Sequence, residues 1–410
     1  MNRTELQFAL RTLPFLDSRA QLAEAVLQLR PSPQRRLLVW HPDAIETLFR
    51  ADQGLGHPGS RSFRPLMGPR SLLWQEGERH TAYRRVLGAP LRGRRLAGYR
   101  DMIGATVHEA IDALPAGADL RLADWTRAIA LRIMARIVFG QADEKILEPF
   151  AKWMDRALGS RPRTLAYRYV KGNLPLPGAE LERGLVSAAR TAARENPSTL
   201  AGQLLGPDSP FAGIDDGELR DQLVSLLFAG HETTASTAAW ALFWLGQDDS
   251  LRARVVAEVD ASDGFPAEEV PLLQAVVQET LRITPPVPAA GNRVLTTECP
   301  VGTAEAGTVV TPSIYLAHHR AESFPEPYRF DAGRFLGERV PPNRFFPFGG
   351  GVRHCLGSQL GQVEVRMIVA AMLRRRELVC VNPGAGVPRL RGHAMAPSPK
   401  LRMWVLKCRD

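Results

Sequence analysis

Lysine is nearly missing from this chain. Of its 52 basic residues only five are Lys (Lys145, Lys152, Lys171, Lys400 and Lys407), and the rest are Arg. Arg and Ala richness of this kind follows genome composition, so a net charge of +9 does not by itself point to nucleic acid. A basic surface suits an acidic protein partner equally well. Cysteine is scarce too. Cys299, Cys355, Cys380 and Cys408 are too few and too scattered over 410 residues for a disulfide framework, which favours a reducing, cytoplasmic setting. Long apolar runs are lacking: Met1 to Ala20 has no signal-peptide core, and the best window, Leu223–Leu245, carries His231 and Glu232 at its middle. No membrane span is expected. Internal repeats, low-complexity tracts and long linkers are absent as well. With 45% hydrophobic and 23% charged residues, the composition excludes a disordered, collagen-like or coiled-coil chain.

What is present is mostly helical pattern. From Gly77 to Phe211 apolar residues recur at helical spacing, broken at Pro115, Pro162 and Pro175–Pro177. Arg36–Trp40 reads as a strand, residues 285–313 as short strands and turns, and Leu356–Arg376 as a helix. The expected fold is mainly α with a minor β part, in one domain over residues 1–410.

The longest helix is predicted between Asp215 and Gly246. Asp215 and Glu218 form a capping-box pair before an apolar run that keeps helical spacing through Leu219, Leu223, Leu226, Leu227, Gly230, Thr234, Thr237, Ala238, Ala241 and Leu245. Its middle reads Ala229-Gly230-His231-Glu232-Thr233-Thr234. An acid and two hydroxyls in an apolar helix are costly unless satisfied. Two readings are open: a surface acid with threonines bonded to the preceding turn, or a helix that lines an active site and delivers protons.

Two further patterns carry chemistry. Glu279 and Arg282 lie three apart on a helix ended by Pro285 and Pro286, among apolar neighbours that favour a buried pair. The segment Phe345-Phe346-Pro347-Phe348-Gly349-Gly350-Gly351-Val352-Arg353-His354-Cys355-Leu356-Gly357 places a thiol at a helix start, where the helix dipole and Arg353 would favour thiolate. That thiolate is either a nucleophile or a metal ligand. A second cysteine at zinc-site spacing and the Gly-Lys-Ser/Thr of a phosphate loop are both missing, while a single axial ligand to an iron macrocycle needs only one Cys.

These residues resemble the cytochrome P-450 family. Its signature Phe-x-x-Gly-x-Arg-x-Cys-x-Gly is met at Phe348, Gly351, Arg353, Cys355 and Gly357; its oxygen-activation motif at Ala229, Gly230, Glu232, Thr233 and Thr234; its Glu-x-x-Arg at Glu279 and Arg282. Phe324–Phe335 resembles the segment that supplies the third member of the Glu-Arg-Arg triad, here Arg334. Gly77–Arg85 extends the match toward the N-terminus. Ala332 stands where the family commonly has Pro, and Gly361 where it commonly has Ala.

The resemblance implies a haem-thiolate monooxygenase with haem b, ligated by Cys355. It implies that His80, Arg84, Arg293 and Arg353 meet the haem carboxylates, and that Phe348, Gly357, Ala229 and Gly230 border the haem, Gly230 leaving room for O2. Glu232 and Thr233 would relay protons. Electrons would come from NAD(P)H through a separate ferredoxin or flavodoxin with its reductase. The substrate would be a lipophilic molecule of terpenoid, steroid, fatty acyl or polyketide type, as in secondary metabolism. Its pocket walls are expected in Phe63–Leu73 (Phe63, Leu66), residues 150–180, Leu226 and Ala229, Val287–Ala290 (Val287, Ala290) and Ala394–Met395. A cytoplasmic monomer without nucleic acid is expected. The alternative is a haem-binding sensor or carrier without turnover, which has no need of proton delivery.

Overall fold

A computed structural model describes residues 3–59, 63–159, 178–262, 270–296, 304–392 and 394–409. The expected pocket wall at residues 160–177 and Cys299 lie outside them. The long helix runs Asp216–Leu245, 30 residues, close to the predicted span. Asp215 caps it by accepting the Glu218 N–H at 3.0 Å. Only half of the expected capping box forms. The Glu218 carboxylate turns away from the helix end and accepts from Tyr83 and Arg79, because Tyr83 stacks on Phe211 at 3.7 Å and brings its hydroxyl there.

The helices Leu122–Phe139, Pro271–Ile283 and Ser358–Arg375 pack around this central helix. Together they form one apolar core that includes Met134, Leu223, Leu227, Val276 and Met367. Gly230 belongs to this packing. A Cβ there would stand 2.4 Å from Met134 Sδ, so the missing side chain admits the Leu122–Phe139 helix. Gly230 keeps some accessible surface, and Ala229 beside it is exposed.

A second apolar cluster lies beneath a four-stranded sheet in the order β1–β2–β5–β4. Its strands are β1 (Val26–Arg30), β2 (Arg36–Val39), β4 (Arg293–Val294) and β5 (Val309–Pro312). β2 and β5 are parallel, with Arg36 opposite Val309, and the other pairings are antiparallel. β3 (Asp119–Arg121), β9 (Arg402–Cys408) and β6 (Arg376–Cys380) make a second sheet, and β7 (Pro388–Arg391) pairs with β8 (Ala394–Pro397) as a hairpin. Among the described residues no helix is long and apolar enough to cross a membrane.

Gly361 sits inside the Ser358–Arg375 helix, and a Cβ there would meet only Thr234 Oγ1 at 3.5 Å, an ordinary contact. Nothing demands glycine. Gly361→Ala is therefore expected to stabilise the fold by roughly 0.5–1 kcal/mol through the unfolded chain. A thermal midpoint that falls in this variant would contradict that.

Candidate functional site

The cysteine loop is built by its glycines. Gly349 (φ +67°) and Gly351 (φ +64°) occupy left-handed backbone, and a Cβ on Gly351 would collide with the Asp52 carboxylate. Gly350 is closed in by the Phe49 ring in the same way. The turn then closes with Cys355 N–H donating to Phe348 O at 2.9 Å. The helix starts at Ser358, slightly beyond the expected Leu356.

Behind the loop stands a buried brace. Glu279 takes Arg282 in two parallel bonds, Nε at 2.6 Å and Nη2 at 2.8 Å, with neither side chain exposed. Arg282 also donates to the carbonyls of His318, Pro327 and Arg329 at 2.8, 2.8 and 3.2 Å, so all five of its protons are used. His318 Nε2 in turn accepts the Phe346 N–H at 3.0 Å. This chain of bonds links the Glu-x-x-Arg pair to the first residues of the cysteine loop. Arg334 joins Glu279 at 3.5 Å as an ion pair and bonds Glu326 O at 3.2 Å. Ala332 needs no proline, because Asp331 caps the turn on Gly333 N at 2.9 Å while its own N–H meets Glu279, also at 2.9 Å.

The Cys355 side chain is exposed, yet burial pushes its thiol pKa up. Both hold if the sulfur lines an open space within the protein. The Gly357 N–H and the Arg84 charge pull the other way, toward thiolate. Arg84 takes the part expected of Arg353. Arg353 instead donates to Gln75 O at 2.5 Å, while its Nε is buried with no hydrogen-bond partner among the described residues.

Around this loop the charges form two groups. Arg293 is consumed by Asp52 (Nε–Oδ1 2.8 Å), Gly291 O at 2.6 Å and Gly350 O at 3.0 Å. Burial raises the Asp52 pKa, but His57 and Arg293 outweigh it and hold the group at about 2. This carboxylate already balances Arg293, which thus braces Gly350 rather than offering an open cation. The second group is His80, Arg84 and Arg353. Burial and the two neighbouring guanidiniums press His80 down to about 4; burial presses Arg353 to about 10 and also lowers Arg84. Three mutually repelling groups with an orphaned Arg353 donor suit a polyanionic ligand. Asp52 and His57 were missed by sequence reading, since nothing local marks them.

On the central helix, Ala229 and Thr233 lie one turn apart, and both keep accessible surface. Thr233 Oγ1 donates back to Ala229 O at 2.9 Å. Thr234 faces elsewhere, onto Glu364 Oε2 at 3.0 Å, and burial drives the Glu364 pKa up to about 8. Glu232 is no surface acid. It is 3% exposed and meets Arg391 Nε at 3.0 and 3.2 Å and His231 Nε2 at 3.3 Å. Burial raises its pKa, but the His231 hydrogen bond and Arg391 outweigh this and hold it well below the usual carboxylate range.

Of the expected pocket walls, Phe63, Leu226, Val287 and Ala290 are partly exposed, and Ala290 Cβ lies 3.9 Å from the Cβ position of Gly349. Leu66 and Met395 are wholly buried in the two apolar clusters, so both are packing residues and not walls. A cleft of about 560 Å³ lies away from this site, between Leu245, Met403 and Lys407. Its Lys407 is paired with Glu377 at 3.2 Å and its Arg409 with Asp260 at 2.9 Å, and neither awaits a ligand. Among the described residues no three His, Cys, Asp or Glu side chains converge on a metal.

The model of the family described as Cytochrome P450 matches residues 13–403. The chain is 32% identical over 393 residues to the putative cytochrome P450 135A1 of Mycobacterium tuberculosis, covering 90% of this chain and 85% of that protein. It is 32% identical over 396 residues to the cyclooctat-9-en-7-ol 5-monooxygenase of Streptomyces melanosporofaciens, with the same coverage of 90% and 85%. In fold it is similar to the retinoic acid bound cyanobacterial CYP120A1, with a TM-score of 0.85, 24% identity and coverage of 98% and 96%.

Proposed function

Because this chain belongs to the cytochrome P450 family, we propose that it is a haem-thiolate monooxygenase, one domain long, that inserts one atom of O2 into a lipophilic molecule of terpenoid type. Membership makes the chain an oxidoreductase and implies haem. The observation that carries the reading is the Cys355 thiol, kept accessible deep in the protein, with the Arg84 charge acting on it and Arg353 and His80 beside Arg84. The residues fit haem: one soft ligand, donors for two carboxylates, and an unpartnered Arg353 Nε. Bound by Cys355, haem supplies the electron-rich centre at which O2 is activated.

The chain's own residues do the rest. The Gly357 N–H and Arg84 tune the sulfur. Arg84, Arg353 and His80 anchor the carboxylates. Ala229 keeps the central helix slim over the reaction space, and Thr233 Oγ1, which rests on Ala229 O, turns its one hydroxyl proton from that carbonyl into the space. Glu232 replaces that proton from behind. Electrons come from NAD(P)H through a ferredoxin or flavodoxin, for which the net charge of +9 offers electrostatic attraction if the partner is acidic. A terpenoid substrate is supported by the relative whose name states the oxygenation of a terpenoid alcohol.

Thr233→Ala is expected to keep consuming NAD(P)H while diverting electrons to peroxide. Product counted per NAD(P)H measures it, and fully coupled turnover would remove Thr233 from the relay. A spectral-shift screen of terpenoids against steroids, fatty acids and polyketides decides the substrate class; binding confined to the last three refutes the terpenoid assignment.

A further inference from the structure

His231 has no place in the mechanism above, yet its ring meets a polar group at each nitrogen. It is buried, with Phe150 edge-on at 6.0 Å. Its Nδ1 lies 2.6 Å from Leu227 O. A carbonyl only accepts, so Nδ1 carries a proton. The other nitrogen, Nε2, lies 3.3 Å from Glu232 Oε1. With Nδ1–H committed, that ion-pair contact is attractive only if one more proton sits between imidazole and carboxylate. Without it, a lone pair would face a buried carboxylate, which is repulsive in so dry a site.

We propose that His231 and Glu232 store one proton between Nε2 and Oε1, and that Arg391 sets which of the two holds it. The role in turnover rests on the monooxygenase reading; the storage itself does not. Arg391 Nε holds Glu232 while its Nη2 holds the exposed Asp155 at 2.7 Å. Arg127 also acts on Glu232, though it is itself paired with Asp124. Imidazolium, carboxylate, guanidinium and Asp155 balance to zero net charge. Arg391 keeps the carboxylate ionised and so leaves the proton on His231.

Arg391 can do this because its strand β7 pairs with β8, Arg391 opposite Ala394, and β8 is stapled to the central helix. Met395 N–H donates to Pro286 O at 2.8 Å, and Met395 O accepts from Ser236 and from Trp240 at 3.2 Å. These anchors lie one to two turns beyond Glu232. In turnover the stored proton passes from His231 Nε2 to Glu232 Oε1, leaving both groups neutral. Glu232 then passes it to Thr233 Oγ1 as that hydroxyl gives up its own proton, and the pair ends as neutral imidazole and carboxylate. One proton from solvent restores it. His231 and Arg391 are thus positioning residues for the Glu232–Thr233 relay.

Histidine ¹⁵N NMR of the holoprotein in its diamagnetic ferrous carbon monoxide form tests the pair. At pH 7 both His231 nitrogens are expected to be protonated, and in Glu232→Gln only Nδ1. In Arg391→Gln the proton moves to Glu232, so His231 reads as neutral. A singly protonated His231 in the unaltered protein overturns the storage, and unchanged His231 shifts in Arg391→Gln overturn the part given to Arg391. His231→Gln is expected to lower product per NAD(P)H several-fold and to enlarge the solvent isotope effect. The carbon monoxide band position reports on Cys355 independently, so haem ligation and proton storage can each fail alone.

Discussion

Cys355→Ser loses the thiolate signature: the ferrous carbon monoxide band shifts to the position of non-thiolate haem, and monooxygenation drops by more than about a hundredfold. The reasoning is local. The loop offers one sulfur, tuned by the Gly357 N–H and by Arg84. Groups that only support a metal ligand are already worth about 10- to 100-fold, and replacing the ligand itself exceeds that. A serine hydroxyl fits the same space, so the fold is kept and haem can still be held by the cationic group. An unshifted band in Cys355→Ser would place the ligand elsewhere, and Cys299, Cys380 and Cys408 are then the residues to replace.

Arg282→Lys is expected to cost about 3–5 kcal/mol, enough to abolish most soluble expression of a marginally stable domain. Arg282 has no exposed surface and spends five protons on Glu279 and three carbonyls. Lysine has three donors in the wrong geometry and leaves Glu279 partly unpaired in a site that already penalises its charge. The loss is structural and reaches the site through His318 and Phe346. Urea midpoints of Arg282→Lys and Glu279→Gln check it; Arg282→Lys with the stability of the unaltered protein would show that the brace is dispensable.

Much of this is legible in the sequence alone. The central helix follows from apolar residues at 3.6-residue spacing behind an Asp cap, and the Glu279–Arg282 pair from an i, i+3 step inside a helix. The cysteine loop was legible because glycine, proline and cysteine chemistry acts within a few residues. For Gly230 the sequence shows only that bulk is missing, and the neighbouring helix shows that Met134 packs on that side. Leu66 and Met395 are core residues and not walls, since an apolar side chain in a core and one on a pocket wall are identical in sequence.

Sequence by itself determined the local chemistry: which helix carries the acid and hydroxyl, which loop carries the thiol, and that one cysteine of four is set apart. Tertiary structure alone decided the partners. Arg391 lies 159 residues from Glu232, and Arg293 lies 241 residues from Asp52. Periodicity and capping report on neighbours within a turn or two, whereas these ion pairs exist only because distant segments cross, and the path of the crossing is written in the packing of the whole core.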